Sequence, residues 1–440
     1  MKHDGKDVRE MLFAKIGILD EELNYQADRF VGVRNGRIAY IGAEEPKEDF
    51  GERYDGAGKL LMPGFYNAHS HSAMTLLRGY AEGMSLSDWL NKKIFPFEAR
   101  LTDEDIYNGT MLAMAEMLRF GVVSTTDMYF GGEANSRAVL ETGTKMNLSL
   151  AVTCFDGRSA EELPQYRETV GLLKTFHNAG EGRVKIDLGI HGEYTSTPKV
   201  VEGMAALAAE TGLNMHLHLS ETRQEHEDCK ARHDGRTPAR YFYDLGVFDA
   251  PTTAAHCVWL EGEDFDILKE KGVTVACCPV SNLKLASGFC PAPRLLDKGV
   301  SVALGTDGVA SNNNLNILEE VKLFATLFKA ATADPTAITA KQALWAATRA
   351  GALAQGREDC GVMRVGAKAD LIVLDQRQRP YLRPCHDMVG NVVFAAQGTD
   401  VCLTMVDGRV LYRDGAYTTI DLERVIRNAE VSAGRILSEL

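Results

Sequence analysis

The sequence predicts an α/β fold: a (β/α)8 TIM-like barrel with a small β-sandwich domain built from both chain ends. Three observations predict it. Short apolar strands alternate with helical stretches over about 300 residues, turn-punctuated β texture marks both ends, and polar residues close the apolar runs, where a parallel barrel presents its chemistry. At 440 residues the chain is long enough for a barrel with an accessory piece.

The N-terminal part contains the run from Phe30 to Gly42, in which Asn35-Gly36 signals a tight hairpin. Similar texture returns in 369–375 and in 403–412, where Asp407-Gly408 signals another. Residues 1–60 plus 364–420 are therefore assigned to the small β domain. Residues 61–363 are assigned to the barrel, with 184–191 as a representative strand and 200–210 as a representative helix. The last segment, 421–440, reads as a peripheral amphipathic helix.

Composition narrows the function classes. A hydrophobic fraction of 45% and a charged fraction of 25% are those of an ordinary globular protein. A formal charge of -13 argues against a nucleic-acid partner, which would need clustered Lys and Arg, and favours a small molecule. Residues 1–10 lack the apolar run of a signal peptide, and no stretch suggests a membrane span, so a cytoplasmic location is expected. The nine cysteines include no Cys-x-x-Cys pair, and Cys277 and Cys278 read as packed thiols. A homo-oligomer is the default expectation.

The chemistry begins with His69-Ser-His71. Side chains alternate along a strand with period two, so both imidazoles project to one side, where one divalent ion can take a nitrogen from each. Alone the pair is weak evidence. Further polar residues follow at the ends of later apolar runs: His191, then His216, His218 and Glu221, then His256, then Asp307. His216 and His218 share a strand face, so either satisfies the spacing.

The chain resembles the amidohydrolase superfamily, within it the branch that deaminates 5'-methylthioadenosine and S-adenosylhomocysteine, near the triazine chlorohydrolases. The likeness is carried by the runs 62–71, 74–80, 85–90, 254–257, 279–284 and 305–313, and spans about residues 15 to 420. The resemblance implies His69, His71, His218 and Asp307 as ligands of one divalent metal ion, zinc first, with iron(II) or manganese as alternatives. Three imidazoles and a carboxylate suit such borderline ions. Binuclear relatives carry a carboxylated lysine at a strand end; Lys185 stands at the start of its strand, so a mononuclear site is expected.

The resemblance also implies catalytic roles for Glu221, in proton transfer to the ring and the leaving amine, for Asp307, in accepting a proton from the attacking water, and for His256, in stabilising the addition step. It implies substrate contacts for Glu98 with a ribose diol, Trp89 as an aromatic wall, His191 against the nucleoside, Arg158 against an amino-acid carboxylate, and Glu221 and Asp307 at the base. Two departures qualify it. The chain reads His191-Gly-Glu193-Tyr194 where relatives usually have Pro before Tyr, which is expected to set an extra carboxylate near the mouth, and 150–155 holds no second arginine. The expected activity is metal-dependent hydrolytic deamination of an adenine nucleoside (5'-methylthioadenosine, S-adenosylhomocysteine, 5'-deoxyadenosine or adenosine). The alternative is another amidohydrolase reaction, such as triazine dechlorination or deamination of guanine, pterin or cytosine.

Overall fold

The computed structural model describes residues 10–440, so residues 1–9, most of the stretch read for a signal peptide, lie outside the described residues. Parallel strands separated by helices occupy the middle of the chain, as the alternating pattern predicts. They form two sheets: Phe65–Ser70, Val122–Tyr129, Lys145–Leu150 and Val184–Ile186 in one, and Leu188–Ile190, Met215–Leu219, Thr252–His256, Thr274–Cys277 and Ser301–Leu304 in the other.

This corrects the expected single closed ring of eight strands. The run expected as one strand over 184–191 breaks at Asp187, so its first half pairs with one sheet and its second half with the other. Buried Asp187 stands at the break. Its N–H makes the last ladder bond to the first sheet, to the Leu148 carbonyl at 2.8 Å, and its carboxylate accepts from Asn147 Nδ2 at 3.0 Å, whereas the next N–H, of Leu188, bonds to the Asn214 carbonyl at 2.8 Å on the side of the second sheet. At the other seam the Asp307 N–H bonds to the His69 carbonyl at 3.0 Å. Gly305 permits this approach, because a Cβ there would lie 2.9 Å from the His69 nitrogen.

The helices carry their signals openly. Pro198–Thr211, expected over 200–210, starts on proline and ends at Gly212 with φ 67°. Arg223–Arg232 starts with a capping box between Thr222 and Glu225. The final helix, Leu422–Ser438, buries Val425, Ala429, Ser432 and Ile436, one stripe at helical spacing, against Asp103–Arg119.

The expected β-sandwich is corrected as well. Strands from both chain ends join edge to edge in one nine-stranded sheet, because Lys59–Pro63 pairs parallel with Met11–Leu19 on one side and antiparallel with Leu371–Asp375 on the other. Period-two alternation sends its side chains to two cores. Leu60, Met62, Ile372 and Leu374 join the core of the parallel sheets, whereas Leu61, Leu371 and Val373 pack with Phe13, Val31 and Leu403. Both predicted hairpins form, with positive φ at Asn35, Gly36, Asp407 and Gly408, as a two-residue turn between twisted strands requires.

A buried ion network ties this sheet to the parallel strands. Lys145, at the start of its strand, lies 2.5 Å from Asp370 Oδ2 and 2.9 Å from Asp407 Oδ1, and Tyr66 donates to Asp370. Removing one partner from a buried pair strands the other charge, which costs about 3–5 kcal/mol. Lys145→Ala is expected to lower unfolding stability by that amount in denaturant titration, and a loss below about 1 kcal/mol would show that the network is not tightly coupled to folding.

Candidate active site

Strand ends deliver the chemistry-bearing residues to one cavity of about 230 Å³, lined among others by His71, Glu98, Tyr129, His191, His218, Glu221, His256 and Asp307. His69, one residue before its strand ends, lies beneath them and is fully buried. Four non-glycine residues here take positive φ: Ser220 (49°), His256 (71°), Cys257 (49°) and Asp307 (59°). Such conformations cost about 1–3 kcal/mol each and persist where packing over-determines them. Here they turn the chain at the strand ends, where His256 and Asp307 face the cavity.

Three imidazoles converge by their Nε2 atoms. His71 Nε2 lies 3.4 Å from His218 Nε2 and 3.1 Å from Asp307 Oδ1, and His69 Nε2 lies 3.4 Å from the same oxygen. Ligand atoms held tetrahedrally at zinc–nitrogen distances are about 3.3 Å apart. His69 Nε2 is buried without a hydrogen-bond partner. The opposite ring nitrogens are occupied: His71 Nδ1 faces the Met128 carbonyl at 2.6 Å, His218 Nδ1 faces the His191 carbonyl at 2.6 Å, and His69 Nδ1 faces His216 Nε2 at 2.9 Å. With Nδ1 protonated against a carbonyl, Nε2 is the nitrogen turned to the common point and able to bind an ion, the arrangement of metal-bound histidines. The donor set fits a divalent ion.

His216 and His218, equivalent by spacing, separate by depth. His218 reaches the cavity, whereas His216 lies two residues deeper, fully buried, with its Nδ1 3.3 Å from Ser149 Oγ. His256 belongs to a second grouping with His69 and Asp307, yet its Nε2 also lies 3.8 Å from Glu221 Oε2.

Electrostatics follow burial and neighbours. Burial pushes His69 and His191 down to about 4 and takes His218 well below its usual value. Burial also opposes charge on His71, yet the Asp307 carboxylate raises it to about 9. Asp307 in turn, despite its burial, is held well below the usual carboxylate range by the His69 and His71 imidazoles. Burial pushes Glu221 up, against the pull of His256. Glu98 rises to about 7 through burial, with the Tyr129 hydroxyl pulling it partly back.

Glu98, Trp89 and His191 line the cavity, and Trp89 is buried, its indole nitrogen unpartnered. Arg158 does not line it: the side chain is half exposed and its Nε donates to Asp156 at 2.9 Å. Glu193 overturns the expected charge at the mouth. It is 2% exposed, and its carboxylate accepts from Arg232 Nε at 3.1 Å and His233 Nε2 at 2.8 Å, so it is turned away and neutralised.

Several residues that support the site have no role assigned from the sequence. Ser281 and Ser311 donate to Asp307 Oδ2 at 2.6 and 2.9 Å, Asn282 meets His256 Nδ1 at 3.0 Å, and Ser287 donates to Glu221 Oε1 at 3.1 Å. Ser281, Asn282 and Ser311 stand within the runs 279–284 and 305–313, so their signal was present without an assignment. Glu225 accepts from the backbone N–H groups of Ser220 and Glu221 at 2.9 and 2.7 Å, which fixes the turn carrying Glu221.

Comparison with known proteins places this arrangement. Residues 60–411 match the model of the Amidohydrolase family. A 5-methylthioadenosine/S-adenosylhomocysteine deaminase of Dictyoglomus thermophilum is 43% identical over 385 residues, covering 88% of this chain and 89% of that protein. A 5'-deoxyadenosine deaminase of Methanosarcina mazei is 39% identical over 411 residues, covering 93% and 94%. The crystal structure of an adenosine deaminase from Xanthomonas campestris with bound zinc superposes with a TM-score of 0.91 at 31% identity, covering 98% of this chain and 99% of that one.

Proposed function

The chain belongs to the amidohydrolase family, and on that premise we propose that it is a metal-dependent deaminase converting adenine nucleosides to hypoxanthine nucleosides and ammonia. The observation that carries this reading is the cavity in which His71, His218 and Asp307 form one wall with Glu221 and His256 beside them. The two parallel sheets are read as halves of a (β/α)8 barrel, supported by the His191–Val152 bond at 3.1 Å just past the strands of one seam and by the Asp307–His69 bond at the other.

His69, His71, His218 and Asp307 would hold one divalent ion, zinc in the first instance. When bound, such an ion supplies the Lewis acidity that makes water a nucleophile near neutral pH. A mononuclear site is favoured because Lys145 is locked in its ion network and Lys185 donates to the Gly356 carbonyl at 2.6 Å, both at strand starts.

The chain's own residues move the protons. Deamination adds oxygen to the carbon bearing the amino group and a proton to the adjacent ring nitrogen; the amine then takes a proton and leaves. Glu221, buried and pushed toward its protonated form, gives its proton to the ring nitrogen, and Ser287 holds the carboxyl in place. Asp307, kept ionised, takes one proton of the attacking water and passes it to the amine, and the proton left on the added oxygen returns to Glu221 as the carbonyl forms and ammonia leaves. His256, oriented by Asn282, donates to the oxygen as it adds.

Glu98 is placed to accept both hydroxyls of a ribose, which requires its ionised form. Because its value is raised to about 7, KM is expected to rise as pH falls through 7 and to level off above it. Glu98→Gln should remove that inflection, measured as KM against pH; an unchanged profile would assign the inflection to another group.

The 5'-substituent defines the substrate further. Among the described residues no Arg or Lys lines this cavity, and Arg232, which lines the adjoining outer cavity of about 650 Å³, is paired with Glu193. A carboxylate tail would forgo a charge-assisted contact of about 1.5–3 kcal/mol. In a panel of nucleosides assayed for ammonia, kcat/KM for 5'-methylthioadenosine or 5'-deoxyadenosine is expected to exceed that for S-adenosylhomocysteine by about tenfold to a hundredfold. The highest value on S-adenosylhomocysteine would reverse the preference, and no ammonia from any adenine nucleoside would overturn the function.

A further inference from the structure

The three converging imidazoles are oriented by unequal partners. Backbone carbonyls face Nδ1 of His71 and of His218, and a carbonyl only accepts, so both rings must carry hydrogen on Nδ1, which makes Nε2 the nitrogen that can take an ion. His69 has no such carbonyl. Its Nδ1 faces His216 Nε2 at 2.9 Å, a nitrogen that accepts or donates according to tautomer.

The ambiguity is resolved further from the site. His216 Nδ1 lies 3.3 Å from Ser149 Oγ, and Ser149 Oγ donates to the Asp127 carbonyl at 3.2 Å. A hydroxyl has one hydrogen. Once it is given to Asp127, Ser149 can only accept from His216, so His216 carries hydrogen on Nδ1 and a lone pair on Nε2. His69 then carries hydrogen on Nδ1, and its Nε2 lone pair points at His71, His218 and Asp307. The reverse polarity would put a hydrogen on His69 Nε2, directed at the ion.

We propose that His216 and Ser149 form a polarity relay that locks His69 in its metal-binding tautomer, which makes both of them positioning residues for the metal site. Asp127, Ser149, His216 and His69 are all fully buried, so solvent offers no substitute partner. Partners of ligand histidines typically change metal affinity by about 10–100-fold when removed. The inference rests on the metal-site reading above.

The test is zinc affinity of the full chain, by competition with a chromogenic chelator, alongside the unfolding midpoint of the metal-free protein. Ser149→Ala and His216→Phe are expected to weaken zinc binding about 10–100-fold. His216→Gln, whose amide oxygen still accepts from His69 Nδ1–H, should recover most of the loss, a rescue that mere loss of packing would not give. Nitrogen-15 NMR of the metal-free wild type should place the His69 hydrogen on Nδ1. The relay is overturned if Ser149→Ala and His216→Phe bind zinc as tightly as wild type, if Gln and Phe at 216 lose affinity equally, or if the hydrogen is on Nε2. Should His216→Phe fail to fold, Ser149→Ala decides. A wild-type chain that takes up no zinc would overturn the metal-site reading itself, which separates the two failures.

Discussion

Glu221→Gln is expected to lower kcat by about a thousandfold or more while the protein keeps its metal and its fold. General acid–base groups typically contribute about 10²–10⁴-fold, and Glu221 serves both halves of the reaction, giving a proton to the ring nitrogen and taking one back from the added oxygen as the amine departs. The amide is nearly isosteric and can keep the Ser287 contact, so binding should change little. Only the transferable proton is lost. Steady-state kinetics with metal analysis on the same sample checks this, and a kcat within tenfold of wild type would assign the proton to another group.

His218→Ala is expected to lose the metal. Four-ligand zinc sites are worth about 10–16 kcal/mol, or about 2.5–4 kcal/mol per ligand, so losing one ligand weakens binding by about a hundredfold to a thousandfold. The contrast with position 216 is the informative part. Both imidazoles project from one strand face, but only His218 reaches Nε2 of His71, at 3.4 Å, whereas His216 touches His69 from behind. Equal loss from Ala at 216 and at 218 would contradict the assignment.

What could be read from the sequence follows from which interactions are local. The hairpins at 35–36 and 407–408 were legible because turn chemistry lies within two residues, and the alternation of strands and helices was legible because periodicity is local. Strand ends marked where His71, His191, His218, Glu221, His256 and Asp307 would gather, since a parallel sheet sends them to one edge. Pairing between distant segments was not legible: nothing in 59–63 announces that it joins two chain ends into one sheet, and nothing in 184–191 announces that its two halves pair with different sheets.

Side-chain direction failed in the same manner. The position of Glu193 just past a strand suggested the mouth, but the partners that turn it away, Arg232 and His233, come from the end of a helix about forty residues later. Arg158 differs, because its partner Asp156 is two residues upstream, so a local signal against a free guanidinium was present. For His216 and His218, period two gives the face but not the depth, and depth decides which ring lines the cavity.

The central claim is tested most directly by incubating the zinc-loaded protein with 5'-methylthioadenosine or 5'-deoxyadenosine and measuring ammonia and the hypoxanthine nucleoside together. Equimolar products are predicted, abolished by a chelator, restored by zinc and absent with Glu221→Gln. Undiminished turnover in metal-free protein, or no product from either nucleoside in protein shown to hold its metal, would contradict it.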